Sequence, residues 1–324
     1  MAVGLASMVV LARHFNRDDI GMGNAALDGM TRHYCTIFDS NYLAKGLAMI
    51  LSLIKHSSVK PNIHVLAMDD ECRSALQLQG IIGLSVYSMP EFEEMTSIGE
   101  LRKTRTHQEF CWSCGAIFTD FVIGFNELSE LTYIDADCFL FSDPETVFSE
   151  IGEKSIGITP HRFAKKDEAR LLPNGKYAVQ WVTFKGEVGR RCLSRWAGQV
   201  REWCYYRHED GKFADQKYLD SWMTDYPGEV CEIQNPGVGL APWNVANYDV
   251  SGFELHGQYR QIVDGHPLVM YHFHEYSHGK RLTGWKLRES DKELIYAPYA
   301  KAIEAAMALI ASSQSSLSVV GLEG

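Results

Sequence analysis

The chain has 324 residues, 46% hydrophobic and 22% charged, with a formal net charge of −10. That length is enough to bury a full core, as one large domain or two fused lobes. The acidic balance argues against a nucleic-acid-binding face and against a strong hold on anionic lipid, and no apolar run approaches the roughly 20 residues needed to span a bilayer.

Residues 1–12 are apolar but lack a basic n-region, so they make a poor signal peptide, and residues 1–31 read as a leader, mobile in part. Residues 32–38 (RHYCTIF) read as a strand, and Asp39-Ser-Asn breaks it ahead of a helix over 42–56. A second strand follows at 62–68, a helix at 71–78 and a short strand at 84–88. Residues 110–125 read as a buried helix and 131–134 as a further strand. This alternation implies an α/β fold: a mostly parallel sheet with helices on both faces. Ligands of such sheets bind beyond the carboxyl ends of the strands, where Asp39, Asp69, Asp70 and Asp135 all fall.

The second half is less regular. Strands are expected at 155–159, 177–184, 259–263 and 268–272, and helices at 187–207, 213–223 and 291–312, with a flexible tail at 313–324. Cys111-Trp-Ser-Cys114 has no second cysteine pair or histidine pair to complete a zinc set, so a structural role and a reduced, cytoplasmic setting fit best.

The most informative stretch is 131–141, Leu-Thr-Tyr-Ile-Asp-Ala-Asp-Cys-Phe-Leu-Phe. An apolar strand ends in two carboxylates, Asp135 and Asp137, spaced to fall on one side of an extended backbone. Two carboxylates in an apolar setting need charge compensation, and a divalent cation supplies it while leaving coordination positions for a diphosphate. The rival reading is a turn in which both side chains bond local amides.

Set beside Thr36-Ile-Phe-Asp-Ser-Asn-Tyr42, Glu109-Phe-Cys-Trp-Ser-Cys114, Phe213-Ala-Asp-Gln-Lys-Tyr-Leu-Asp220, Gly239-Leu-Ala-Pro-Trp-Asn244 and Tyr271-His-Phe-His274, the Asp pair makes the chain resemble GT-A fold glycosyltransferases. The likeness is to the family-8-like nucleotide-diphospho-sugar transferases and related uncharacterised bacterial proteins. It implies a Rossmann-like central sheet with a smaller mixed acceptor-side sheet and a C-terminal helix. It implies one catalytic domain over 32–290, with a nucleotide-binding half at 32–143 and an acceptor half at 144–290, followed by a helix and tail at 291–324.

The resemblance also implies roles. Asp135 and Asp137 hold Mn²⁺ (or Mg²⁺), with His272 or His274 completing the set and the family pattern favouring His272. Thr36, Phe38, Asp39 and Tyr42 hold the nucleoside, and Asp69 or Asp70 sits near the base edge; for these two acids a helix cap is the rival reading. Arg102 and Arg105 meet phosphate or sugar hydroxyls, or lie in a solvated loop. Lys286 assists at the diphosphate, or is a surface lysine. Asp215 orients the donor sugar and Gln216 lies near the reacting face. Trp181, Trp243 and Trp285 offer a sugar platform, core packing being the rival. Ala178 stands where related sequences carry Asn, which bears on the choice of sugar.

These roles describe a metal-dependent transferase of the hexosyltransferase type. It moves a sugar from a nucleotide-sugar donor, a UDP-sugar, to a saccharide or glycoconjugate acceptor with retention. Two alternatives stand beside it. One is a non-catalytic nucleotide-sugar or carbohydrate-binding module. The other is a sugar-nucleotide nucleotidyltransferase, against which the acidic, glycine-free loop after the first strand speaks.

Overall fold

The structure, a computed structural model, describes residues 30–255 and 258–320. The leader expected at 1–31 lies outside the described residues except for Met30 and Thr31, and Thr31 already opens the first strand.

In chain order the main elements begin with β1 (Thr31–Phe38), α1 (Leu43–His56), β2 (Lys60–Ala67), α2 (Asp70–Leu78), β3 (Leu84–Ser88) and α3 (Met89–Thr96). There follow α4 (His107–Phe125), β4 (Glu130–Ile134), β5 (Cys138–Leu140), α5 (Glu145–Ile151), β6 (Ile156–Pro160), β7 (Tyr177–Lys185) and α6 (Gly186–Glu202). The chain closes with β8 (Val230–Glu232), β9 (Val250–Leu255), β10 (Gln258–Val263), β11 (His266–Pro267), β12 (Met270–His272) and α7 (Ala297–Val320).

The central sheet runs β3-β2-β1-β4-β7-β6-β8, and only β7 opposes the other strands. Alternation along each strand feeds two cores. Cys35 and Ile37 of β1 and Leu131 and Tyr133 of β4 pack with α4 and α6 on one face. Tyr34, Phe38 and Ile134 pack with α1, α2 and α5 on the other. The smaller sheets are both antiparallel: β11-β10-β9, and β12 paired with β5.

Several expected boundaries move for identifiable reasons. α4 begins at His107 rather than at 110 because Thr106 and Glu109 form a reciprocal capping box. α6 ends at Glu202 rather than at 207, where Arg105 donates to the carbonyls of Val200 (2.9 Å) and Arg201 (2.7 Å). The helix expected over 213–223 is a 3₁₀ turn, Gln216–Ser221, plus one α turn, because Ala214 sits at φ 49°. The stretch expected as a tail from 313 stays helical to Val320, and 321–324 lie outside the described residues.

The helical stretch Glu289–Ser315 is long and apolar enough, by length and composition, to cross a membrane, which corrects the expectation that no apolar run approaches that length. In the fold it docks a stripe of Ile295, Tyr299, Ile303 and Ala306 into a third core beside α1, β12 and Phe141.

Candidate active site

β1 and β4 are neighbours, but the chain leaves β1 for β2 and β3 on one side before returning to β4 on the other. That reversal makes a topological switch point, and open α/β sheets bind ligands in the crevice at its carboxyl ends. The β1–β4 pairing stops at Cys35 and Tyr133, so the strands part there. Asp39 follows β1 and Asp135 follows β4, which puts both at this mouth.

The histidine arrives from the far end of the chain. β12 pairs antiparallel with β5, setting His272 opposite Cys138 and so beside Asp137. His272 Nε2 lies 3.1 Å from Asp137 Oδ1, and ligand atoms of Asp135, Asp137 and His272 lie within 4.8 Å of one another. Asp137 and His272 are buried; Asp135 is half-buried. His274 is exposed and meets the site through ring contacts with Trp243 and His272, outside the cluster of ligand atoms, so geometry separates the two histidines that the sequence could not. The donor set, two carboxylates and an imidazole with room for further oxygens, fits a divalent cation such as Mn²⁺.

A supporting shell fixes this set. Gln180 Nε2 donates to the Gly239 carbonyl at 3.2 Å, which leaves its Oε1 to accept from His272 Nδ1 at 3.1 Å. His272 Nε2 is thereby the nitrogen turned toward the carboxylates. Gln180 reaches there because β7 bulges: Val182 pairs with Ile158, but the next pair is Ala178 with Thr159, so residues 179–181 arch out of register with β6. Gly239 sits at φ +74°, and a Cβ there would come 2.8 Å from Gln180 Nε2, so the close approach requires glycine. Asn244 braces the same loop, accepting from Ala241 N and donating to the carbonyls of Gly239 and His161. The Tyr133 hydroxyl donates to Asp135 Oδ1 at 3.0 Å.

The electrostatics show what the set lacks. Burial pushes the Asp135 carboxyl up to about 7, with the like charge of Asp137 adding to the rise. Burial also works against Asp137, but the charge and hydrogen bond of His272 overcome it and hold that carboxyl well below the usual range. His272 is correspondingly raised against its own burial. Asp215, buried just before the 3₁₀ turn, is pushed up to about 8, by burial first and Asp135 second. Three carboxylates therefore share one crevice with too little positive charge, the situation that a cation relieves.

Asp39 Oδ1 caps Tyr42 N, and its Oδ2 faces His107 Nε2 at 3.2 Å. Tyr42 is exposed beside the couple, and the charge of Asp137 is the main influence raising its hydroxyl. The Thr36 and Phe38 side chains are buried, Phe38 against Gly46, which leaves only their backbone for a ligand. Asp69 caps Cys72 N at 2.7 Å and accepts from Ser40 N and Oγ, each at 2.9 Å, so the capping reading holds and the carboxylate ties the β1 turn to β2. Asp70 is the exposed first residue of α2. Arg105 ends α6 as described above, and Arg102 pairs with Glu93 at 2.7 Å. Gln216 turns its amide to the Asn174 carbonyl at 2.6 Å. Lys286 is exposed.

Trp181 is a core residue packed on Tyr34 and Phe148, so its place in a platform is corrected to packing. Trp243 lies edge-on to His272, and Ala178 joins it with Ala241 in a small apolar cluster lined by Phe163 and Trp285. The sequence analysis singled out neither Tyr133 nor, as a site residue, Gln180. Each is a polar group in an otherwise apolar run, which is the signal that was there to read.

No family model matches the chain. YfnF of Bacillus subtilis, itself uncharacterised, is 31% identical over 255 residues, which cover 76% of this chain and 82% of YfnF. YfnD of the same organism, also uncharacterised, is 25% identical over 279 residues, or 83% and 88% of the two chains. Among solved structures, the galactosyltransferase LgtC in complex with donor and acceptor sugar analogues superposes with a TM-score of 0.54 at 14% identity, over 83% of this chain and 95% of that one. The glycosyltransferase GlyE of Streptococcus pneumoniae gives 0.51 at 13% identity, over 89% of this chain and 64% of GlyE. Taken with the switch-point site, these likenesses place the chain in the family of YfnF, and its fold is that of the GT-A glycosyltransferases.

Proposed function

We propose that the chain is a metal-dependent glycosyltransferase that moves a sugar from a UDP-sugar to a glycan, lipid or small-molecule acceptor with retention. The convergence of Asp135, Asp137 and His272 at the switch point carries this reading. Manganese, or magnesium, when bound there, neutralises the diphosphate and the charge that develops as it leaves.

The protein's own groups do the rest. Asp137 and His272 hold the ion, Asp135 is shared between ion and ribose, and Gln180 keeps the His272 ring in the right tautomer. The backbone of Thr36 and Phe38, with Asp39 and Tyr42, takes the nucleoside, while Asp69 fixes the turn that presents Tyr42. Asp215 orients the sugar, and Gln216, its amide nitrogen held by the Asn174 carbonyl, lies near the reacting face. Trp243 and Trp285, beside Phe163, form the apolar wall for a sugar ring. Residues 32–143 form the nucleotide half and 144–290 the acceptor half. The eight free thiols support a cytoplasmic setting.

A panel of sugar nucleotides, scanned by thermal shift with and without Mn²⁺ and then assayed for donor hydrolysis, tests the proposal. One uridine diphosphate sugar is expected to stabilise the protein only with metal and to be turned over. Binding without turnover would instead indicate a binding module, and a response to triphosphates alone a nucleotidyltransferase.

A further inference from the structure

Lys45 stands in the first turn of α1, which leaves the carboxyl end of β1 at the same mouth as Asp135 and Asp137. It is the only basic residue in the apolar run from Leu43 to Ile54. Its ammonium lies 4.0 Å above the centre of the Tyr42 ring, and its side chain is half-buried. Burial lowers the Lys45 ammonium and the charge of Asp137 opposes that, while Asp137 is also the foremost influence raising the Tyr42 hydroxyl. Among the described residues Lys45 makes no direct ion pair.

A half-buried lysine at this mouth that is bonded to no carboxylate keeps its donors for another partner. An ammonium on a flexible stem is a mobile point charge, suited to phosphate oxygens whose position depends on the bound ligand. The ring beneath it limits its directions without using its N–H groups.

We propose that Lys45 is a second cationic contact to the donor's diphosphate, supplied by the first helix of the chain alongside the carboxylate-bound ion. The inference rests on the function proposed above, because it presupposes a diphosphate at this mouth. It adds a binding residue that separates affinity for the phosphorylated ligand from affinity for the metal alone. Lys45 repels a cation at Asp137 but attracts the anion that the cation anchors, so its removal weakens the second affinity without weakening the first.

The test is titration calorimetry on the full chain and its K45M and K45R variants, with three probes: Mn²⁺ alone, inorganic pyrophosphate in saturating Mn²⁺, and uridine in saturating Mn²⁺. For K45M, pyrophosphate affinity is expected to fall by about tenfold while Mn²⁺ binds as tightly as before or more tightly, and K45R is expected to recover most of the loss. Uridine affinity is expected to stay unchanged. Pyrophosphate binding within twofold of the parent in K45M, while the parent itself binds pyrophosphate only with metal, overturns the role of Lys45 and leaves the proposed function standing. So does a fall in uridine affinity with pyrophosphate unaffected, which would make Lys45 a support for the Tyr42 ring. A parent that binds no pyrophosphate with or without Mn²⁺ sinks both readings. If K45M does not fold, the charge-removing K45Q variant carries the same comparison.

Discussion

Asp137 and Asp215 are both buried in one crevice, yet their surroundings drive them in opposite directions. Asp137 has an imidazole 3.1 Å away and stays ionised; Asp215 is desolvated near a second carboxylate and keeps its proton up to about 8. An unfolded aspartate loses its proton near 3.8, so the stability linked to Asp215 is full at low pH and drains away as pH rises toward 8. Asp215→Asn removes that drain. In metal-free protein, urea unfolding at pH 5 and pH 8 should show the parent losing more than about 1 kcal/mol relative to the variant. Transfer by the variant should fall by about 10²-fold or more, since a buried acid kept at a stability cost is kept for function. A variant that matches the parent in both pH response and turnover would show Asp215 to be a plain turn residue.

At the scale of elements, the site depends on two small irregularities. One is the pairing of three-residue strands β5 and β12, which lie far apart in the chain, and the other is the arch of β7 at residues 179–181. Gln180→Leu keeps the bulk of the arch but removes the acceptor for His272 and the donor to Gly239. Mn²⁺ affinity should fall between about tenfold and a hundredfold, with a stability cost of roughly 1–3 kcal/mol from the stranded polar groups. Calorimetry beside thermal unfolding checks both; a stable variant with parental metal affinity would remove Gln180 from the account. These irregularities are also what the sequence concealed. β1, β2 and β4 were legible because runs such as TIF and LTYI sit beside breakers at fixed spacing. Strands of three residues have no period to detect, and a bulge shows only against a partner strand. The Asp pair was legible as a motif and His272 only by resemblance, because their contact exists only once residues 138 and 272 are paired. Arg105 misled because an arginine in a loop before a helix reads as a ligand contact, whereas it closes a different helix nearly 100 residues away.

Across the whole molecule, buried neutral histidines set the acid limit. Burial first, and the neighbouring His33 second, bring His64 down to about 4; burial likewise brings His161 to about 4. Unfolded histidines take up protons near 6.5, so the stability these residues contribute is present above that pH and is lost as pH falls from 6.5 toward 4. The urea midpoint should drop steeply over that interval, at up to about 1.4 kcal/mol per histidine per pH unit, and His64→Gln should remove part of the slope. A flat midpoint between pH 6.5 and 4.5 would contradict the assignment. The most direct test of the central claim is a calorimetric titration of uridine diphosphate into the parent and into Asp137→Ala, each with and without Mn²⁺. Binding that requires the metal in the parent and vanishes in the folded variant is the predicted result; nucleotide affinity indifferent to both the metal and Asp137 would contradict the account.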